Sequence, residues 1–165
     1  MGINPLDFCQ YVIRPTLEKL DRWTPALENL LLGTAAQASQ LGRNLNSQGG
    51  QGLYRISAEL HRQVWDQFLA FDPELASIVR GFASQREFLS NPDRELAINL
   101  AYATAIAWAV YAWRGAEIPT AADDGEAMAH CWYQYFDHAP DLSPDDFLRH
   151  YRTLRARPMP AEAAA

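Results

Sequence analysis

The sequence predicts an all-α domain organised around one buried helix at about 92–114. Two observations carry that prediction. A capping residue followed by proline recurs five times, at Asn4-Pro5, Thr24-Pro25, Asp72-Pro73, Asn91-Pro92 and Ser143-Pro144. Proline lacks the N–H that a first-turn residue leaves unpaired, and its φ is already helical, so each pair marks a helix start. The second observation is the stretch 91–115, NPDRELAINLAYATAIAWAVYAWRG. Leu96, Ile98, Leu100, Tyr102, Ile106, Trp108, Val110, Tyr111 and Trp113, spaced by alanines, make it apolar on nearly every face. Asn91 and Pro92 suit its start, Asp93 and Glu95 complement the positive end of its dipole, and Gly115 can end it. A membrane span is the rival reading. Asn99, Thr104 and two tyrosines interrupt the run, and much of it is weakly lipophilic alanine, so a core helix is the better assignment.

The remaining elements follow in order. The first helix is predicted over 5–21, with a break near Pro15 and Phe8, Tyr11, Val12, Leu17 and Leu20 facing inward. The second runs over 25–41 and is closed by Gly42. Leu27, Leu30, Leu31, Thr34, Ala35, Ala38 and Leu41 share its face at helical spacing. Residues 42–52 are rich in Asn, Ser and Gly and read as a loop. Residues 53–56 look extended, with Leu53 and Arg55 on one side and Tyr54 and Ile56 on the other. Ser57 caps a helix over 58–70, and Asp72-Pro73 starts another through 82. Residues 84–89 suit a further turn or two. Asp123, Asp124 and Glu126 open a helix carrying Met128, Cys131, Trp132, Tyr135 and Phe136. Ser143-Pro144-Asp145-Asp146 is a capping-box-like start for a last helix, with Phe147, Leu148, Tyr151 and Leu154 inward. Arg149, Arg152, Arg155 and Arg157 fall late in it, where the dipole is negative.

The chain has 165 residues, enough for one domain over 1–157 with a tail, 158–165, that has nothing to bury. A net charge of −6 argues against broad nucleic-acid binding. Cys9 and Cys131 have no metal-ligand spacing, and His61, His130, His138 and His150 show none either, so neither a metal site nor a cofactor is expected. Two thiols in apolar patterns are more often plain buried residues, although spacing alone leaves a disulfide open. Ser39 has no hydrolase motif around it, and the glycine loop 47–52 is not followed by Gly-Lys-Ser. Residues 1–7 lack the basic and apolar regions of a signal peptide, so synthesis in a cytoplasm is expected.

Four segments in order, LLLGTAAQASQLG, GLYRIS, NLAYATAIAWAVY and HCWYQYF, resemble a lysozyme-like domain. The resemblance is to small phage proteins related to soluble lytic transglycosylases and goose-type lysozymes, and it covers about 5–151. Where that family has Thr-Ala-Ala-Gln-Glu-Ser-x-x-Gly, this chain has Thr34-Ala35-Ala36-Gln37-Ala38-Ser39-Gln40-Leu41-Gly42. Where the family has Gly-Leu-(Tyr or Met)-Gln-(Ile or Met), this chain has Gly52-Leu53-Tyr54-Arg55-Ile56. Many relatives follow with Glu-Pro-x-Thr-His, of which Ser57-Ala58-Glu59-Leu60-His61 keeps the histidine. Phe136-Asp137 stands where relatives tend to show Tyr-Asn.

The resemblance implies a wall-cleaving ancestry and a lost acid. Glycosidic cleavage needs a carboxylic acid to protonate the leaving oxygen. In the family it is the glutamate of the Glu-Ser pair; here Ala38 stands there, and a methyl group donates no proton. Losing such an acid costs ~10²–10⁴-fold in rate. Glu59 is the nearest substitute, and its ordinary reading is a first-turn helix acid. The expected site is thus a degenerate groove of Ala38, Ser39, Tyr54, Arg55, Ile56, Ser57, His61, Phe136 and Asp137, with no catalytic residue and no metal. Several departures together favour natural loss over a single engineered change. The expected role is a non-catalytic structural component of a phage virion, with other virion proteins as partners and several copies per particle. The alternatives are a virion-associated transglycosylase or lysozyme seen as an inactive Glu-to-Ala variant at position 38, and a module that binds peptidoglycan without cutting it.

Overall fold

The computed structural model describes residues 2–47 and 49–155, so Arg157 and the predicted tail 158–165 lie outside the described residues. The fold is all-α. Helix α1, Pro5–Phe8, passes through a π-turn at Cys9–Ile13 into α2, Arg14–Lys19. The π-turn explains the predicted break. The Pro15 ring would strike the carbonyl four residues back, and widening the preceding turn relieves that clash. Asn4 caps α1 through its Oδ1, which accepts the Leu6 N–H at 2.9 Å.

Helix α3, Pro25–Ser39, is covered by other elements along most of its length. Phe147 of α10, Pro144–Arg155, sits directly on Gly33. A β-carbon at Gly33 would lie 2.3 Å from the Phe147 ring, so glycine is what admits the crossing helix. α3 ends two residues earlier than predicted, because Gln40 and Leu41 both take left-handed backbone with φ of 52° and 56°. Inside the predicted 42–52 loop, β1, Asn46–Ser47, pairs antiparallel with β2, Gly50–Gln51.

Residues 53–56 are not an extended strand. They form a turn with Arg55 at φ 50°, and Leu53, Tyr54 and Ile56 are all buried. The expected two-sided alternation therefore fails. Ser57 caps α4, Ala58–Gln67, accepting the Leu60 N–H at 3.1 Å. A 3₁₀ turn, Leu69–Phe71, leads to α5, Pro73–Phe82, and α6, Gln85–Ser90.

The predicted continuous helix at 92–114 is broken. A 3₁₀ turn, Pro92–Arg94, runs into α7, Glu95–Ile98, and the chain then bends by 108° into α8, Leu100–Trp113. Asn99 makes the break. Its backbone is extended, its Oδ1 accepts the Tyr102 N–H at 3.0 Å, and its Nδ2 donates to the Phe82 carbonyl and to Glu95, both at 2.8 Å. It is an N-cap inside an apolar run, a role asparagine fills well. Ile98, expected in the core, is 54% exposed at this corner. The buried central helix is α8 alone, where every residue from Tyr102 to Tyr111 is buried. Among the described residues no single helix is long and apolar enough to cross a membrane.

Helix α9, Gly125–Tyr135, is capped by Asp124, and it lies with α10 against α3. In α10 the Ser143 N–H donates to Asp146 Oδ2 at 2.8 Å, the reciprocal half of a capping box with aspartate in the third position.

Candidate functional site

The site begins at the last turn of α3. Ala38 is half-buried there, and Ser39 beside it is buried. Ser39 Oγ donates to the Leu53 carbonyl at 2.7 Å and accepts the Gly42 N–H at 2.9 Å. One hydroxyl thus ties the helix end, the left-handed turn after it and the 53–56 turn together. Three of the four non-glycine residues with positive φ among the described residues, Gln40, Leu41 and Arg55, flank this tie. Left-handed backbone costs roughly 1–2 kcal/mol per non-glycine residue, and such strain concentrates where a site demands a particular shape. Gly52 closes the back of the 53–56 turn. It has φ 74°, and a β-carbon there would lie 1.7 Å from the Leu96 carbonyl oxygen.

Tyr54 is buried, and its ring lies 6.4 Å from that of Phe8. Thr104 Oγ1 gives its hydrogen to the Leu100 carbonyl, so the Tyr54 hydroxyl is the donor in their 3.0 Å contact. Burial raises the Tyr54 phenol well above its ordinary value. Arg55 is partly buried, and its Nε is buried with no hydrogen-bond partner among the described residues. Ile56 pairs with Gln51 through two backbone bonds of 3.0 and 3.2 Å.

The face carrying Ala38 continues one turn back to Thr34. Thr34 Oγ1 donates to the Leu30 carbonyl at 2.7 Å and receives the Tyr111 hydroxyl hydrogen at 2.8 Å. The Tyr111 ring lies 5.2 Å from that of Phe136, which is how the predicted Phe136 reaches α3. Asp137 is exposed and pairs with Arg114 at 2.8 Å, and the same guanidinium donates to the Tyr135 carbonyl. Thr34, Thr104, Tyr111 and Arg114 were not among the predicted site residues. The threonines within otherwise apolar helical faces were the available signal.

His61 has a different setting from the rest. It is 2% exposed, with Nδ1 2.7 Å from Asp93 and Nε2 2.6 Å from the Tyr102 hydroxyl. Both ring nitrogens are occupied, so none is left for a ligand. Ser57 serves α4 as its cap.

Among the described residues two acids are buried, and each is bound elsewhere. Glu28 accepts from Arg14 at 2.8 and 2.9 Å and from Trp23 Nε1 at 2.7 Å. Glu95 accepts from Ser84 Oγ at 2.6 Å and from Asn99. Glu59 is exposed on the first turn of α4. Among the described residues no group of three or more His, Cys, Asp or Glu side chains could hold a metal ion. Cys9 and Cys131 are both free thiols, and burial pushes them up to about 12 and about 11. An open recess of about 370 Å³ lies between the start of α9 and the end of α10, bordered by Asp123, Glu126, Tyr151, Arg152 and Arg155.

Fold and site together define an all-α protein with a tightly tied, strained turn beside a helix end that carries a methyl group. No family model, no curated protein and no solved structure matches the chain.

Proposed function

We propose that this chain is a catalytically silent member of the lysozyme-like group, working as a structural component of a phage particle. The observation that carries the reading is Ala38 itself. It stands half-buried next to the Ser39–Leu53 tie, at the position where the resemblance places the proton-donating carboxylate. Neither buried glutamate is free to replace it, since Glu28 is held by Arg14 and Trp23, and Glu95 by Ser84 and Asn99. Arg55 adds a charge with a left-handed backbone where relatives carry a neutral amide. A site with a methyl at position 38, its one groove carboxylate Asp137 paired with Arg114, fits a domain kept for its shape. In that role its partners are other virion proteins, it is present in several copies per particle, and it is made in the host cytoplasm and ends in the virion.

Zymography and turbidity loss on peptidoglycan, run on this chain and on Ala38→Glu, test the reading. Silence in both, with many copies in purified particles, is the expected result. Lysis by the unaltered chain overturns it. Lysis restored by Ala38→Glu alone points to an enzyme inactivated at one position. Binding to insoluble peptidoglycan without lysis in either protein points to a glycan-binding module.

A further inference from the structure

We propose that His61 is an acid-sensitive latch, and that mild acidification releases residues 85–94 as a strap while the rest of the core stays folded. The strap is α6 and the following 3₁₀ turn, and neither element has a fully buried residue. Its base is closed, because Ser84 Oγ donates to Glu95 Oε1 at 2.6 Å and Glu95 itself is 0% exposed. Between those ends it is held down through Phe88 and Asp93. Phe88 packs edge-on against Trp65 and Tyr102 with centroids 5.8 and 6.0 Å apart, and Asp93 reaches His61. Segments with so little burial open before the core does.

The hydrogens of the latch are fixed by elimination. Ionised Asp93 only accepts, so His61 Nδ1 carries a proton and Nε2 is an acceptor. Trp65 Nε1 only donates, and it donates to the Tyr102 oxygen at 2.8 Å, so the Tyr102 hydrogen goes to His61 Nε2. Every donor is matched while His61 is neutral. A proton on Nε2 turns that acceptor into a donor. The Tyr102 oxygen then faces two N–H groups, and its own hydrogen has no acceptor among the described residues. Tyr102 is 0% exposed, so water cannot stand in while the strap is down. Lifting the strap hydrates both groups, and proton uptake and opening become linked.

The charges around the latch set its sign. Asp93, from the 3₁₀ turn, favours imidazolium. On α5 Arg80 lies 4.0 Å over the Phe88 ring, while on α7 Glu95 is turned to Ser84 and Asn99. Burial outweighs Asp93, and His61 is held below its ordinary value of 6.5. The latch is therefore at full strength above pH 6.5 and weakens as pH falls through the lowered value.

Hydrogen exchange on the full chain between pH 7.5 and pH 4.5, corrected for intrinsic rates, tests this. The expected result is at least a tenfold rise in exchange for peptides within 85–94, with α3 unchanged. His61→Gln keeps a neutral donor and acceptor and cannot take up the proton, so its strap is expected to stay protected across the range. In the unaltered chain the His61 imidazole, followed by NMR, is expected to titrate at the midpoint of strap opening. This measurement stands alone should the variant not fold. Equal loss of protection in strap and α3, no rise in the strap, a rise that persists in His61→Gln, or separated midpoints each overturn the proposal.

Discussion

Ser39→Ala removes the hydroxyl that ties α3 to the 53–56 turn. The substitution leaves a helix-favouring methyl and makes no clash, so its effect is the loss of hydrogen bonds. Two partners are orphaned. The Leu53 carbonyl, bonded at 2.7 Å in a buried setting, loses the strongest contact. A buried acceptor left unpaired costs about 1–3 kcal/mol. The Gly42 N–H, at 2.9 Å, is only partly buried, so water replaces the hydroxyl at a net loss of about 0.5–1 kcal/mol. The bond to the Ala35 carbonyl is long at 3.2 Å, and that carbonyl retains backbone donors. The sum is about 1.5–4 kcal/mol. With a urea m-value of roughly 2 kcal/mol/M, the midpoint falls by about 0.8–2 M with m unchanged. Equilibrium urea unfolding followed by tryptophan fluorescence and by circular dichroism reads this directly. A shift corresponding to less than about 0.5 kcal/mol would show that the tie carries no energy, and the description of Ser39 as the organiser of the site would fail.

The remaining expectations are simpler to state. Asn99→Ala removes the α8 cap and leaves the Phe82 carbonyl and one Glu95 oxygen without their donor, so thermal unfolding should reveal a loss of about 2–3 kcal/mol. Tyr54, Tyr102 and Tyr111 all have phenols raised by burial, so the folded state favours their neutral form. Their contribution to stability is full below pH 10 and declines above it, and a tyrosinate absorbance titration should show these three ionising only with unfolding. Glu28→Gln weakens a pair whose arginine side chain is 45% exposed, so solvent screening holds the loss to about 1–2 kcal/mol, measurable by urea midpoint. Cys9 and Cys131, pushed up to about 12 and about 11, should react slowly with an aromatic disulfide at pH 8 in the native protein and rapidly in denaturant.

The helix starts were legible because their chemistry is local. Four of the five cap–proline pairs open an α-helix, and Asn91-Pro92 opens the 3₁₀ turn before α7. Asn99 was legible only as an interruption. Its role as a cap depends on α7 turning away, and the Phe82 carbonyl and Glu95 that hold it come from packing. The 53–56 turn defeated the alternation rule, since a buried turn and a strand can share the pattern Leu-Tyr-Arg-Ile. At the site, Ser39, Tyr54 and Ile56 were placed by the resemblance, and their contacts with Leu53, Thr104 and Gln51 give each a structural purpose. His61 was grouped with them by the same resemblance, as the histidine kept from Glu-Pro-x-Thr-His. Its actual partners, Asp93 and Tyr102, lie 32 and 41 residues away, beyond any local signal.

The seat of Phe147 on Gly33 also governs when folding can finish. The two residues lie far apart in sequence, and the ring that meets Gly33 arrives only with α10. A ribosome must release the chain past Phe147 before this seam can shut. Any nascent chain that stops short of residue 144 leaves an apolar helix surface open to chaperones or to another copy.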